Sequence, residues 1–193
     1  MNYYRSTKLE ARGFNEDEAI KLMLDEINET KTGRATIKGI EIGVGNGERV
    51  HTFCAHEKVR HTGIDNLEGD GQNHPTNEKM EALEKQYSNF FFMEGDSSEL
   101  ADKFKDKKYD YVFIDGGHSY QQAEADFDNY ATKVKSGGFI LIHDSRADEG
   151  IVDAVTKRPV NWHPGPTKLK NDIDAEGLIQ KVGAVYSLTI YQV

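Results

Sequence analysis

Five short clusters of small and titratable residues punctuate this chain, and each directly follows an apolar run. Gly43-Val-Gly45-Asn-Gly47 follows Ile37–Ile42, with Glu41 just ahead of it. Asp65 closes the run from His61, and Glu94-Gly95-Asp96 ends the run from Phe90. Asp115-Gly-Gly-His118-Ser-Tyr120 follows Tyr109–Ile114, and His143-Asp144-Ser145 follows Phe139–Ile142. Glycines at alternate positions let the main chain turn sharply and let a ligand approach the backbone. An acid at the end of the next run, here Asp65, can accept hydrogen bonds from both hydroxyls of a ribose. A glycine-rich turn is also an ordinary strand-to-helix connection, and Asp65 could equally be a solvated strand end. Asp115 and Asp144 could hold a hard divalent ion such as Mg²⁺ through carboxylate oxygens. His143 between them would favour Zn²⁺, Fe²⁺ or Mn²⁺; without a metal, Asp115 would bind a cofactor or a backbone amide. An imidazole titrating near neutrality can take the proton of a reacting hydroxyl, with His118 as first choice and His143 as second. As a plain alternative, His118 caps the helix that follows.

These residues need a frame that brings run ends together. Ala19, Ile20, Met23, Leu24 and Ile27 recur at helical spacing, which predicts an amphipathic helix over Asn15–Thr30. Apolar runs at Ile37–Val44, His61–Asp65, Phe90–Glu94, Tyr109–Ile114 and Phe139–Ile142 read as strands. Helices follow at Arg49–Ala55, Glu78–Tyr87, from Asp96, from Ser119 and, weakly, Glu149–Lys157. Arg158–Ala175 reads as irregular, with Trp162 and three of the four prolines. Leu178–Val182 and Ala184–Val193, divided only by Gly183, must pair antiparallel. The expected fold is α/β: a doubly wound, mostly parallel seven-stranded sheet with a C-terminal antiparallel hairpin. Residues 1–36 form an N-terminal arm and amphipathic helix, and 37–193 the catalytic domain of what is overall a single domain. Ligands in such sheets bind beyond the carboxyl ends of the strands, where all five clusters fall.

The 193 residues suffice for one well-packed domain. Thirty-three acidic against 24 basic side chains give a net charge of −9, a poor match to nucleic acid. Neither a signal peptide nor a membrane span is evident, and a lone Cys54 excludes an internal disulfide. The expectation is a cytoplasmic protein with no nucleic-acid or membrane partner, and homo-oligomer formation left open. Cys54 is expected to be a packing residue, and the remaining histidines, among them His51, His56, His61 and His74, ordinary surface residues.

Glu48 stands where the dinucleotide fingerprint wants its third glycine. The pattern E-x-G-x-G-x-G from Glu41 to Gly47 resembles motif I of class I S-adenosylmethionine-dependent methyltransferases. The likeness extends over nearly all of residues 37–193. Tyr111-Val-Phe-Ile-Asp115-Gly-Gly-His118-Ser-Tyr120 and Gly137-Gly-Phe-Ile-Leu-Ile-His143-Asp144 resemble the macrocin-type O-methyltransferases of small molecules. The resemblance implies S-adenosyl-L-methionine as cofactor, held by Glu41, Gly43, Gly45, Gly47, Asp65, Asp96 and Asp115, with Asp96 at the adenine amine. It implies His118 as base and Mg²⁺ or another divalent cation at Asp115 and Asp144, with His143 where those enzymes carry Glu. Catechol-type enzymes resemble the chain at Asp115 and Asp144 but have Asn in place of Ser145. The expected reaction is O-methylation of a sugar or secondary-metabolite hydroxyl. The alternatives are a nicotinamide-dependent oxidoreductase and a non-catalytic cofactor-binding protein of the same fold.

Overall fold

The computed structural model describes residues 15–33, 35–68, 75–147 and 163–193. The expected arm with Tyr3 and Tyr4, residues 69–74 with His74, the helix expected at Glu149–Lys157, and Trp162 lie outside them. Helix α1 spans Glu16–Thr30 and begins with a capping box. The Asn15 side chain accepts from Glu18 N, while the Glu18 carboxylate accepts from Asn15 N. Then follow β1 (Ile37–Ile42), α2 (Glu48–Cys54), β2 (Val59–Asp65), α3 (Asn77–Gln86), β3 (Phe90–Glu94) and α4 (Ser97–Leu100). After a 3₁₀ turn come β4 (Tyr109–Ile114), α5 (Tyr120–Ala131), β5 (Val134–Ile142), α6 (Pro164–Glu176), β6 (Gln180–Val185) and β7 (Leu188–Gln192).

One seven-stranded sheet has the order β3-β2-β1-β4-β5-β7-β6. β1 to β5 run parallel to one another, and β7 is antiparallel to both β5 and β6. Successive residues of the apolar runs serve opposite faces. Tyr111 and Phe113 pack with Ile20 and Leu24 of α1 and Phe53 of α2. Val112 and Ile114 pack with Ala123 and Tyr130 of α5 and Leu169 of α6. Covered on both faces, the central strands need no polar alternation. The chain reverses between β1, which opens the order outward through β2 and β3, and β4, which opens it the other way. That switch point is where the clusters converge.

Two expectations need correction. The C-terminal hairpin turns at Tyr186-Ser187, and Gly183 lies inside β6 beside a register shift. Tyr186 takes the left-handed conformation (φ 55°) that a glycine would have signalled. Within the stretch read as irregular, Pro164–Glu176 is a helix. Pro164 occupies the first helical position, where a missing N–H costs nothing, and Gly177 ends the helix in the left-handed conformation.

Candidate active site

A cavity of about 730 Å³ opens along the carboxyl ends of β1 to β5, from the glycine loop to Asp144. Gly43 and Gly47 both have positive φ, 81° and 79°. A Cβ at Gly43 would fall 2.1 Å from the Asp115 carbonyl oxygen, so only glycine lets β1 and β4 end side by side. Asp65 fastens this loop: Oδ2 accepts from Val44 N (2.9 Å) and Gly45 N (3.1 Å), and Oδ1 from Leu67 N (2.8 Å). A carboxylate offers about four lone-pair positions, so Asp65 keeps acceptor capacity towards the cavity it lines. Asp96 also lines it and caps α4, accepting from Ser98 N at 2.8 Å rather than from the Glu99 amide of a capping box. Beside it, Asp126 of α5 accepts from Ser97 Oγ, and burial pushes its carboxyl up to about 6.

On the α1 face of the sheet, Glu41, His61 and Tyr111 form a buried chain. The Tyr111 hydroxyl lies 2.9 Å from His61 Nδ1, and Glu41 Oε2 lies 2.6 Å from Nε2. A Cβ at Gly39 would strike the Tyr111 ring at 1.9 Å, so the glycine makes room for that side chain. His61 is 0% exposed and stacks on Phe53, which overturns its reading as a surface residue. Glu41 Oε1 is buried without a hydrogen-bond partner, and Glu41 lines the cavity. Burial pushes the Glu41 carboxyl up, against the pull of His61. Cys54 is buried, with its thiol pushed up to about 12 by burial, as a packing residue should be.

A second polar cluster lies at the ends of β4 and β5, adjacent strands with Ile114 opposite Ile142. His143 Nδ1 faces Asp115 Oδ1 at 2.9 Å and Asp144 Oδ1 at 3.6 Å. Its Nε2 faces Ser187 Oγ at 2.9 Å and Glu16 Oε2 at 3.2 Å. Glu16 accepts from Ser187 N (2.9 Å) and Ser187 Oγ and forms a close ion pair with Arg49. Desolvation opposes a charged His143, but Asp115 and Glu16 prevail and raise it to about 10. With both ring nitrogens engaged, His143 is not placed to serve as a base. Desolvation pushes the Asp115 carboxyl up, yet His143 and His118 outweigh it and hold it below the ordinary range.

His118, at the cavity wall, has a 40% exposed side chain. Its Nε2 lies 4.0 Å from Asp115 Oδ1 and 3.3 Å from Asp144 Oδ2, and the two carboxylates raise its pKa to about 9. Ser119, not His118, caps α5, accepting from Gln122 N. The His163 ring stacks on His118 at 3.7 Å, with Nε2 3.5 Å from Asp144 Oδ2. Desolvation and the His118 charge lower the pKa of His163. Two groups among the described residues could surround a metal ion: Asp115, His143 and Asp144, and His118, Asp144 and His163.

The Methyltransf_24 family model, described as a methyltransferase domain, matches residues 40–145, more than half of the chain. The chain belongs to the class I S-adenosylmethionine-dependent methyltransferases. Its fold is shared by a protein from Corynebacterium glutamicum at 18% identity and TM-score 0.61, covering 95% of this chain and 84% of that one. An O-methyltransferase family protein from Burkholderia thailandensis matches at 17% identity and TM-score 0.57 over 91% of this chain and 56% of that one. The CurJ carbon methyltransferase matches at 12% identity and TM-score 0.60 over 91% of this chain and 53% of that one. The methyltransferase thus spans little more than half the length of the latter two.

The methyltransferase fold brings the expected residues to this edge except Gly47, which is absent from the cavity lining and packs by Leu83, and adds three that the sequence did not disclose. Glu16 stands ahead of the apolar stripe of α1, Ser187 in a turn placed elsewhere, and His163 just before a proline that starts a helix. For His163 a signal existed: Pro164 at the first helical position, with Leu169 and Ile173 four residues apart.

Proposed function

We propose that this chain transfers a methyl group from S-adenosylmethionine to a hydroxyl of a small molecule, with His118 as the base. The carrying observation is one continuous cavity with a glycine loop at one end and an imidazole–carboxylate cluster at the other. The residues fit the cofactor. The backbone from Gly43 to Asn46 lines the cavity, with open space where a Cβ at Gly45 would stand, and Asp65 retains one acceptor position for a ribose hydroxyl. Glu41 Oε1, a buried acceptor with no donor, suits the ammonium of the methionine moiety. Asp96, beside Asp126, suits the adenine amine.

The acceptor oxygen attacks the methyl carbon in line with sulfur. The C–O bond forms as the C–S bond breaks, the bonding pair leaves on sulfur, and the hydroxyl proton passes to His118 Nε2. The chain's contribution is alignment, exclusion of water and proton removal. Asp115 and Asp144 orient His118 and stabilise the imidazolium that results. Asp115, His143 and Asp144 are the residues that would hold a divalent ion, which when bound would lower the pKa of a coordinated hydroxyl. The net charge of −9 favours a neutral or cationic small-molecule acceptor over nucleic acid.

Calorimetry with S-adenosylmethionine and S-adenosylhomocysteine tests the reading. Binding of both at one site per chain is expected, with NAD(P) leaving the thermal midpoint unmoved. No binding of either sulfur nucleoside would overturn it.

A further inference from the structure

Behind the cavity, three neighbouring strands build one hydrogen-bond chain, and a missing side chain lets it form. His61 of β2 and Tyr111 of β4 both stand opposite Gly39 of β1. They flank the middle strand on one face, at the point where a Cβ on Gly39 would overlap the Tyr111 ring. With none there, the Tyr111 hydroxyl reaches across β1 to His61 Nδ1 at 2.9 Å. Glu41, two residues further along the same face of β1, meets His61 Nε2 through Oε2 at 2.6 Å. The His61 ring stacks on Phe53 with centroids 4.5 Å apart and is closed off from solvent, so packing as well as hydrogen bonding fixes its orientation.

The hydrogens of this chain can be assigned. Burial raises the Tyr111 hydroxyl well above its ordinary pKa, so it keeps its proton. Its hydrogen-bond partner among the described residues is His61. A protonated Glu41 donating to Nε2 would put the hydrogen of a neutral ring on Nδ1. The Tyr111 hydroxyl would then be the acceptor, with its own hydrogen buried and unused. Every hydrogen finds an acceptor only when Tyr111 donates to Nδ1 and Nε2–H donates to Glu41 Oε2. A doubly protonated ring would donate to Oε2 in the same way, so the direction at Glu41 does not depend on the charge of the ring. Glu41 is thereby held as an acceptor, an ionised carboxylate. Its other oxygen, Oε1, is buried with no partner, and the residue lines the cavity. Burial pushes the Glu41 carboxyl up and Asp115 adds to that, while His61 first and Arg49 second pull the other way. The remaining neighbours, the Cys54 thiol and the Tyr111 hydroxyl, are both pushed up by burial and stay neutral. Without His61, burial would be far less opposed.

We infer that His61 is a positioning residue for the amino-acid end of the cofactor, acting through Glu41. Nε2–H holds Oε2 and leaves Oε1 for the ammonium, which supplies both a donor and the opposite charge. Tyr111 holds the ring in the tautomer that can do so. This rests on the cofactor named in the methyl-transfer reading and adds two residues, neither of which lines the cavity.

Calorimetry on the full chain compares S-adenosylhomocysteine with its deaminated analogue, which keeps the carboxylate and lacks the ammonium. The wild type should prefer S-adenosylhomocysteine by about 10–100-fold. His61→Phe keeps an aromatic ring in the stack but removes the donor. It should bring that ratio close to one while the affinity for the analogue holds. His61→Gln, whose amide can still donate to Oε2, should restore most of the ratio. Adding His61→Phe to Glu41→Gln should cost no further affinity, because the first acts through the second. Should His61→Phe fail to fold, Tyr111→Phe removes only the hydroxyl that fixes the tautomer and should lower the ratio by about 2–10-fold. A ratio that survives His61→Phe, or Tyr111→Phe in its place, overturns the assignment. Equal weakening of both ligands overturns it too, since that marks a site merely loosened. A wild type that binds both ligands equally well removes the ammonium contact and leaves the cofactor reading standing. A wild type that binds neither overturns both.

Discussion

Two aspartates five residues apart, one near the start of β4 and one just past its end, lie at opposite ends of the same strand, and their company differs in kind. Asp110, at the amino end, is buried among ammonium groups. Lys31 Nζ lies 3.0 Å from Oδ2, Lys38 N donates to Oδ2 at 2.7 Å, and the Lys135 ammonium closes on Oδ1. Asp115, at the carboxyl end, is surrounded by His143 and His118. Lysine has donors only and stays charged across the physiological range, so Asp110 can do nothing but hold strands and helix together. Imidazoles carry a lone pair as well as a proton, so the cluster at Asp115 can release a proton, accept one or hold an ion. A buried carboxylate is thus a staple or a reagent according to whether its partners can change state.

The largest expected effect breaks the reactive side alone. His118→Ala should lower kcat by about 10²–10⁴ and leave the thermal midpoint nearly unchanged, because the side chain is 40% exposed. In the wild type, metal-free rates should climb with pH up to about 9, since the two aspartates keep His118 protonated below that. A flat profile from pH 6 to 9 would remove His118 as the base.

The converse substitution should strike stability alone. Asp110→Asn leaves Lys31 and Lys135 around a neutral group, and breaking a buried ion pair of this kind costs about 3 kcal/mol. Denaturant unfolding reads that loss. Affinity for S-adenosylhomocysteine should hold in the variant, because Asp110 lies at the other end of the strand. A large loss of cofactor affinity without loss of stability would erase the contrast between the two edges.

Glu41→Gln sharpens the comparison from inside the cavity. It removes one charge-assisted contact, worth about 1.5–3 kcal/mol, so S-adenosylmethionine should bind about 10–100-fold more weakly. Unchanged affinity would mean that Oε1 does not meet the ammonium.

The sequence disclosed the reactive edge better than the staple, for a physical reason. Glycine conformation and acids after apolar runs are local signals, and they located Gly43, Asp65, Asp115 and Asp144. Strands β1, β4 and β5 were legible because burial on both faces permits unbroken apolar runs. What was lost depends on contacts far apart in sequence. His61 reads as a polar residue in a short strand, yet it is buried by pairing with Glu41 and Tyr111, twenty and fifty positions away. Glu16 meets Ser187 across 171 positions, and the turn holding Ser187 was hidden because Tyr186, not a glycine, takes the positive φ. Prolines read as helix breakers concealed α6 and, with it, the place of His163.

Asp126 supplies the smallest effect and the finest test of the comparison, for it is a buried acid with no cation beside it. Burial lifts it to about 6 from an ordinary value of 3.8, against the pull of Ser97. The folded chain therefore keeps this proton up to about pH 6, while the unfolded chain releases it near 3.8. Between those values the folded state binds more protons, so the contribution of Asp126 to stability falls as pH rises and then stays constant above about 6. Asp126→Asn removes that penalty without removing volume. The variant should be more stable than wild type at pH 7.5 by roughly 1–3 kcal/mol, with the advantage shrinking as pH falls towards 4. Thermal unfolding at pH 7.5 and 4.5 reads both. An asparagine that destabilises at both values would mean that Asp126 is held by a partner as firmly as Asp110 is. An advantage confined to neutral pH would mark it as an acid that folding tolerates at the cavity wall, where a group able to accept and donate would face the proposed cofactor.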